Sequence, residues 1–193
     1  MRKVISILLL SVMMVACDAS KSSLGSAYNM INCKYSYKSI SGLSISGMNL
    51  SNGLSLTNIP QITSILSGNA SSIPLNFTLN MDVNNPNQSE AAFHGMSYIL
   101  NIDGVQFTTG NVTQTMNIGA GQTQTLPLTI GVDLAQLMKT ESKDAVTNIA
   151  KNFLGIGSQK SEVNLQIKPT FMIGSVPVQS PIYIPVSFSF GGK

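Results

Sequence analysis

From residue 34 onward the apolar positions recur with a period of two, the mark of strands that bury one face. The clearest case is 73–84, where Leu75, Phe77, Leu79, Met81 and Val83 alternate with Asn76, Thr78, Asn80 and Asp82. The same alternation runs through Leu126, Leu128, Ile130 and Val132, through Val163, Leu165 and Ile167, and through Ile182, Ile184, Val186, Phe188 and Phe190. Less regular strands are expected at 34–46, 48–57, 96–102, 106–118 and 171–178. Turn residues punctuate them: Asn52-Gly53, Asn85-Pro86-Asn87, Asp103-Gly104 and Gly119-Ala120-Gly121. Asp103-Gly104 between two apolar runs predicts a tight hairpin. Roughly seven to nine short strands at this spacing predict a mainly β, antiparallel sandwich and not a parallel sheet.

One stretch breaks the period. From Asp133 to Phe153 the residues Leu134, Leu137, Met138, Ala145, Val146, Ile149, Ala150 and Phe153 fall near one helical face. This predicts a single α-helix inserted over about 133–154, capped by Asp133, with Gln136 at the capping-box position and Gly155 as a left-handed C-terminal cap. Its stripe is expected to cover an open end of the sandwich. Lys139, Lys143 and Lys151 are too few to make it an anionic-membrane face.

The first residues follow another logic. Arg2 and Lys3 precede an unbroken apolar run, Val4 to Val15. That run is roughly 12 residues long, whereas a membrane-spanning helix needs about 20. Charge followed by a short apolar run predicts a signal peptide over 1–16. The run ends in Met14-Val15-Ala16-Cys17, which resembles the bacterial lipobox. The resemblance implies cleavage before Cys17 and acylation of that residue, and so a membrane anchored through lipid on Cys17. Residues 17–33 are then expected to be a lipidated N-terminus and tether, with 34–193 forming the single sandwich domain. The expected address is the bacterial cell envelope, with the outer membrane favoured over the inner, although Asp18 stands where some proteobacteria read an inner-membrane signal.

Charge removes one class of partner. Of the 11 Lys and Arg residues, Arg2 and Lys3 leave with the signal, so the mature chain has no arginine, and it has no lysine between Lys38 and Lys139. Nucleic-acid binding needs clustered cations to displace counterions from phosphates, so no nucleic-acid partner is expected. With Cys17 committed to lipid, Cys33 lacks an internal partner and is expected to be a small, half-buried hydrophobe, with an intermolecular bridge as the alternative.

At Asp82-Val83-Asn84-Asn85-Pro86-Asn87 the chain begins to resemble the late embryogenesis abundant type 2 family, also called the water-stress and hypersensitive-response domain. The Asn85-Pro86 turn is followed by Ser97 to Gly104 and by Gly110, and the resemblance spans roughly 35–190, including Leu43 to Leu50 and Ile184-Pro185-Val186. It implies an immunoglobulin-like or fibronectin-like sandwich in which Asn85, Pro86, Gly104 and Gly110 are structural signature residues. It implies no reaction, only stress protection and binding. Independently of the family, Pro86 must end a strand, because it lacks an N–H, and Asn85 is placed to bond nearby backbone amides.

Catalytic chemistry is sparse in the sequence. His94 is the only histidine, no nucleophile elbow surrounds any serine, and no spacing of ligands suggests zinc or calcium. Gly119-Ala120-Gly121 lacks the lysine of a phosphate loop. No catalytic residue, metal or cofactor is therefore expected. The leading expectation is a non-catalytic envelope lipoprotein that binds a protein, glycan or apolar ligand or protects under stress. The alternatives are an adhesive subunit that works by strand pairing and an enzyme with an unrecognised site.

Overall fold

The computed structural model describes residues 24–51, 53 and 55–191. The expected signal peptide and Cys17 lie outside the described residues. In chain order the elements are α1 (helical over 24–31), β1 (Lys34–Ile45), β2 (Met48–Asn49), α2 (Asn58–Ser67), β3 (Pro74–Asn84), β4 (Ala91–Phe93), β5 (Met96–Ile102) and β6 (Val105–Val112). They continue with β7 (Met116–Ile118), β8 (Thr123–Asp133), α3 (Leu134–Thr140), α4 (Lys143–Phe153), β9 (Lys160–Ile173), β10 (Val176–Gln179) and β11 (Ile184–Gly191).

Every strand pairing is antiparallel. One sheet runs β2-β1-β3-β8; the other has β9 at its centre, with β5 and then β6 on one side and both β10 and β11 on the other. A small β4-β7 ribbon closes one end. The inward faces are those that the period of two foretold. Leu75, Phe77, Leu79, Met81 and Val83 of β3 are buried, as are Leu126, Leu128 and Ile130 of β8 and Val163, Leu165 and Ile167 of β9. The even residues between them on β3 are half-buried or exposed. β8, β10 and β11 carry Pro127, Pro177 and Pro185. Proline cannot donate to a ladder, so it suits strands open on one edge and blunts them against a further strand.

Several expectations are corrected by the fold. The single helix over 133–154 is two helices, because Glu141 is extended (φ −120°, ψ 165°) and Ser142 starts α4 by accepting from the Ala145 N–H. An apolar stripe continues across such a break, so periodicity cannot reveal it. Asp133 does cap α3, and Gly155 takes the left-handed conformation after α4 (φ 71°). Gln136, however, donates to the Ser71 carbonyl and does not close a capping box. The strand expected at 48–57 shrinks to two residues and gives way to α2, where Ile62 and Leu66 enter the core at helical spacing and Pro60 is tolerated in the first turn. The 106–118 strand divides into β6 and β7, and 171–178 folds back on itself at Gly174 (φ 63°). Ile182 is exposed because β11 begins only at Ile184.

The domain also starts earlier than residue 34. Ala27 and Met30 of α1 and the following Cys33 are buried in the common core. Asn29 Nδ2 donates to Ser89 Oγ at 2.7 Å and to the Glu90 carbonyl at 3.0 Å, tying α1 to the loop after β3. Residues 24–33 are thus folded structure and not tether. Cys33 is free, and its burial pushes the thiol pKa up to about 11, which keeps it protonated and unreactive.

Candidate functional site

Bulges in β1 shape an apolar opening along one side of the sandwich. The register of β1 on β3 slips between Tyr37 and Ser39 and again between Ser41 and Ser44, where Gly42 adopts a positive φ of 63°. A bulge bends its strand and tightens the twist. Accordingly β1 loses a strict in-out alternation: Ile40 and Leu43 are half-buried on the same strand as half-buried Tyr35 and exposed Tyr37. β1 and β11 are not hydrogen-bonded to each other, and Tyr37 instead stacks on Phe188 with ring centroids 4.6 Å apart and planes 12° from parallel.

The resulting groove has a volume of about 440 Å³. Ile40 and Leu43 of β1, Leu50, Phe153 of α4 and Phe190 of β11 line it. Phe153 lies between groove and core, its centroid 4.4 Å from both Phe77 and Phe190 and 6.5 Å from Phe107. Behind it a void of about 10 Å³ is enclosed only by apolar side chains, among them Leu79, Leu100, Ile102 and Val163. That is room for about one water, with no polar group to hold it. The rim is polar: Lys38 Nζ donates to Asp82 Oδ1 at 3.1 Å and to Thr125 Oγ1 at 2.7 Å, and Thr125 donates to the same carboxylate at 2.8 Å. The Thr125 hydroxyl and then the Lys38 ammonium hold the Asp82 carboxyl below its usual range. Such an exposed pair contributes little to stability.

A second hollow, of about 240 Å³, lies at the α1 end and contains His94 with Glu90, Asn117, Phe171 and Met172. His94 is exposed, and its Nδ1 is 3.5 Å from Thr115 Oγ1. Among the described residues no three of His, Cys, Asp and Glu gather as a metal site would require. His94 and the Thr115 hydroxyl thus meet only at the limit of hydrogen-bond distance, a contact that by itself defines no reaction.

The signature residues meet in structural roles. Asn85 is wholly buried. Its Nδ2 donates to the carbonyls of Ser89 (2.9 Å), Ile118 (2.8 Å) and Gly119 (3.1 Å), and its Oδ1 accepts from the Asn87 backbone N–H at 3.0 Å and from Asn87 Nδ2 at 2.8 Å. The side chain therefore divides its bonding between the nearby Asn87 and Ser89 and two distant carbonyls at the end of β7, beyond the nearby amides that the sequence suggested. Pro86 is exposed and terminates β3. Asp103 (φ 50°) and Gly104 (φ 80°) form the tight β5–β6 hairpin, and Asp103 also accepts from Ser161 Oγ and from the Glu162 N–H, both at 2.8 Å. Asn152 Nδ2 in turn donates to Ser161 Oγ at 2.9 Å, joining α4 to β9 and the hairpin. Gly110 sits opposite Tyr98 in the β5–β6 ladder, and a Cβ there would collide with the tyrosine ring. The missing side chain gives the aromatic ring its place.

Two antiparallel sheets around one core, with an apolar groove along one side, define a β-sandwich protein with a cleft. Residues 80–181, 102 of the 193, match the model of the late embryogenesis abundant protein family (LEA_2). The chain belongs to that family. The matched segment includes Asn85, Pro86, Gly104 and Gly110. Among solved structures, a protein from Archaeoglobus fulgidus is 17% identical over 82% of this chain and 98% of its own, with a TM-score of 0.40. A solution structure from Arabidopsis thaliana is 13% identical over 64% of this chain and 74% of its own, with a TM-score of 0.41. The solution structure of a putative late embryogenesis abundant protein is 12% identical over 98% of this chain and 89% of its own, with a TM-score of 0.40. No curated protein sequence matches the chain.

Proposed function

We propose that this protein is a non-catalytic binding module of the bacterial cell envelope, anchored through lipid on Cys17, whose groove receives an apolar ligand. The anchoring rests on the lipobox-like Met14-Val15-Ala16-Cys17 behind a short apolar run. The binding role rests on one observation: the groove presents Ile40, Leu43, Leu50, Phe153 and Phe190 to an opening rimmed by Ser39, Ser41, Ser51 and Lys38. Apolar area removed from water contributes roughly 25 cal/mol per Å², and polar groups at the rim orient the ligand without supplying chemistry. A stress-protective role follows from the same surface, since a module that sequesters apolar groups limits their aggregation.

Two measurements test the two halves separately. With radiolabelled palmitate in a bacterial host, the wild-type chain incorporates label and fractionates with membranes, while Cys17→Ala takes none and is released from them; label in the Ala variant, or none in the wild type, defeats the anchoring. For the groove, a fluorescent long-chain fatty acid serves as the probe. Ile40→Glu places a charge on the lining and weakens binding by about tenfold or more, equivalent to about 1.4 kcal/mol, with an unaltered circular dichroism spectrum. Equal affinity of the folded variant and wild type, or no binding by wild type, removes the groove from the proposal.

A further inference from the structure

Among the described residues eight large hydrophobic side chains stand exposed, and six of them share one end of the molecule: Leu24, Tyr28, Val176, Val178, Ile182 and Tyr183. Their placement follows from the pairing along β9. Phe171 and Met172 oppose Val178 and Pro177, the Ser180 N–H donates to the Pro169 carbonyl, and Ile167 opposes Ile184, so β10 and the 180–183 loop flank the same end of β9. Residue Ser26 of α1 lines one hollow with Phe171 and Met172, which brings Leu24 and Tyr28 to that end as well. The opposite end carries the polar Asp103-Gly104 hairpin, seven ladder positions away along β5.

We infer that this end of the domain rests on the lipid surface, with the β9–β10 hairpin and Tyr183 dipping into the interface. The inference builds on the lipid-anchoring reading and adds an orientation to it. Chain length supports it: Cys17 is seven residues before Leu24, and an extended chain reaches at most about 3.6 Å per residue, or roughly 25 Å. A domain held that closely presents its α1 end to the bilayer. The chemistry of the patch agrees with an interface and not a bilayer core. Tyrosines seat apolar rings with wet hydroxyls at headgroup level. Lys168 Nζ lies 5.1 Å from the Tyr183 ring centroid, where its stem can lie on apolar surface while its charge reaches phosphates. An unmatched apolar patch of this kind marks a surface that something covers, and the bilayer is the body that the anchor keeps within reach.

The chain contains no tryptophan, so one introduced residue reports its position. The full-length chain, processed and lipidated in a bacterial host, is reconstituted into vesicles of phosphatidylethanolamine and phosphatidylglycerol that carry brominated acyl chains. Tyr183→Trp fluorescence is expected to be quenched severalfold more than that of Gln106→Trp on the opposite hairpin, and Val176→Asn with Val178→Asn is expected to reduce that quenching while palmitate labelling stays intact. Equal, weak quenching at both positions in protein that floats with the vesicles overturns the orientation and leaves the anchor standing. Chains that take no palmitate and do not float overturn both. Weak quenching that accompanies dimers in cross-linking assigns the patch to a second copy and rejects the bilayer.

Discussion

Phe77→Asp or Leu79→Asp should unfold the domain, with a loss of about 4–5 kcal/mol or more, whereas Thr78→Asp should cost roughly 0.5 kcal/mol. The contrast comes from one strand with two environments. Phe77 and Leu79 are 2% exposed, and Phe77 packs against Phe153, while Thr78 between them is only half-buried and points to the other face. A carboxylate at either inward position would be ionised without a partner, or protonated at a cost, in a site built from Leu, Ile and Phe. Against a total stability of about 5–15 kcal/mol, that loss is decisive. A urea titration followed by circular dichroism reads it directly, since a slope of about 1–3 kcal/mol per molar turns the difference into a shift of the midpoint by more than one molar. Equal losses at 77 and 78 would mean that β3 is covered on both faces.

Asn85→Leu should be the most damaging polar substitution, costing about 3–5 kcal/mol, because it removes the donors of three carbonyls and the acceptor of the Asn87 amide in a site closed to water. Damage should spread to α1, since Asn87 Nδ2 also donates to the Asn29 carbonyl at 3.0 Å. Hydrogen exchange of α1 amides should therefore accelerate together with those of β7. Asn85→Asp adds a sign test. Its second oxygen would face the Ser89, Ile118 and Gly119 carbonyls, which disfavour the anion and raise the folded-state pKa above the unfolded value of about 3.9. A raised folded pKa means that the variant is least impaired below pH 4, where the acid is neutral in both states, and loses stability progressively as pH rises through the folded pKa. Wild type has the opposite tendency in acid. The carboxyl of Asp133 is held below its usual range by the Ile73 N–H and then the Ser72 hydroxyl, so the stability it contributes is present above the unfolded pKa and lost as pH falls through the folded one. If the stability of Asn85→Asp falls with acid in parallel with wild type, the carbonyl cage is not what holds this residue.

The sequence by itself determined which side of each regular strand is buried and where the tightest turns fall. Both are written locally. Alternation in 73–84 reads directly as an inward odd face, Asp103-Gly104 can form a two-residue hairpin because both tolerate positive φ, and Asp133 and Gly155 mark helix ends through bonds to neighbours in the chain. Tertiary structure alone decided the rest. The groove exists because two register slips in β1 leave its apolar residues on no single face, and a slip is a property of the pair β1 and β3 and not of either sequence. The break between α3 and α4, the burial of residues 24–33 and the outward turn of Ile182 depend on which surfaces remain uncovered once the sheets have packed. The role of Asn85 is the sharpest case: the Asn-Pro pair announces a turn, but two of the three carbonyls that hold Asn85 belong to residues 33 and 34 positions later. Short-range propensity can name a residue that ends a strand; only the folded chain brings it the acceptors that make its burial favourable.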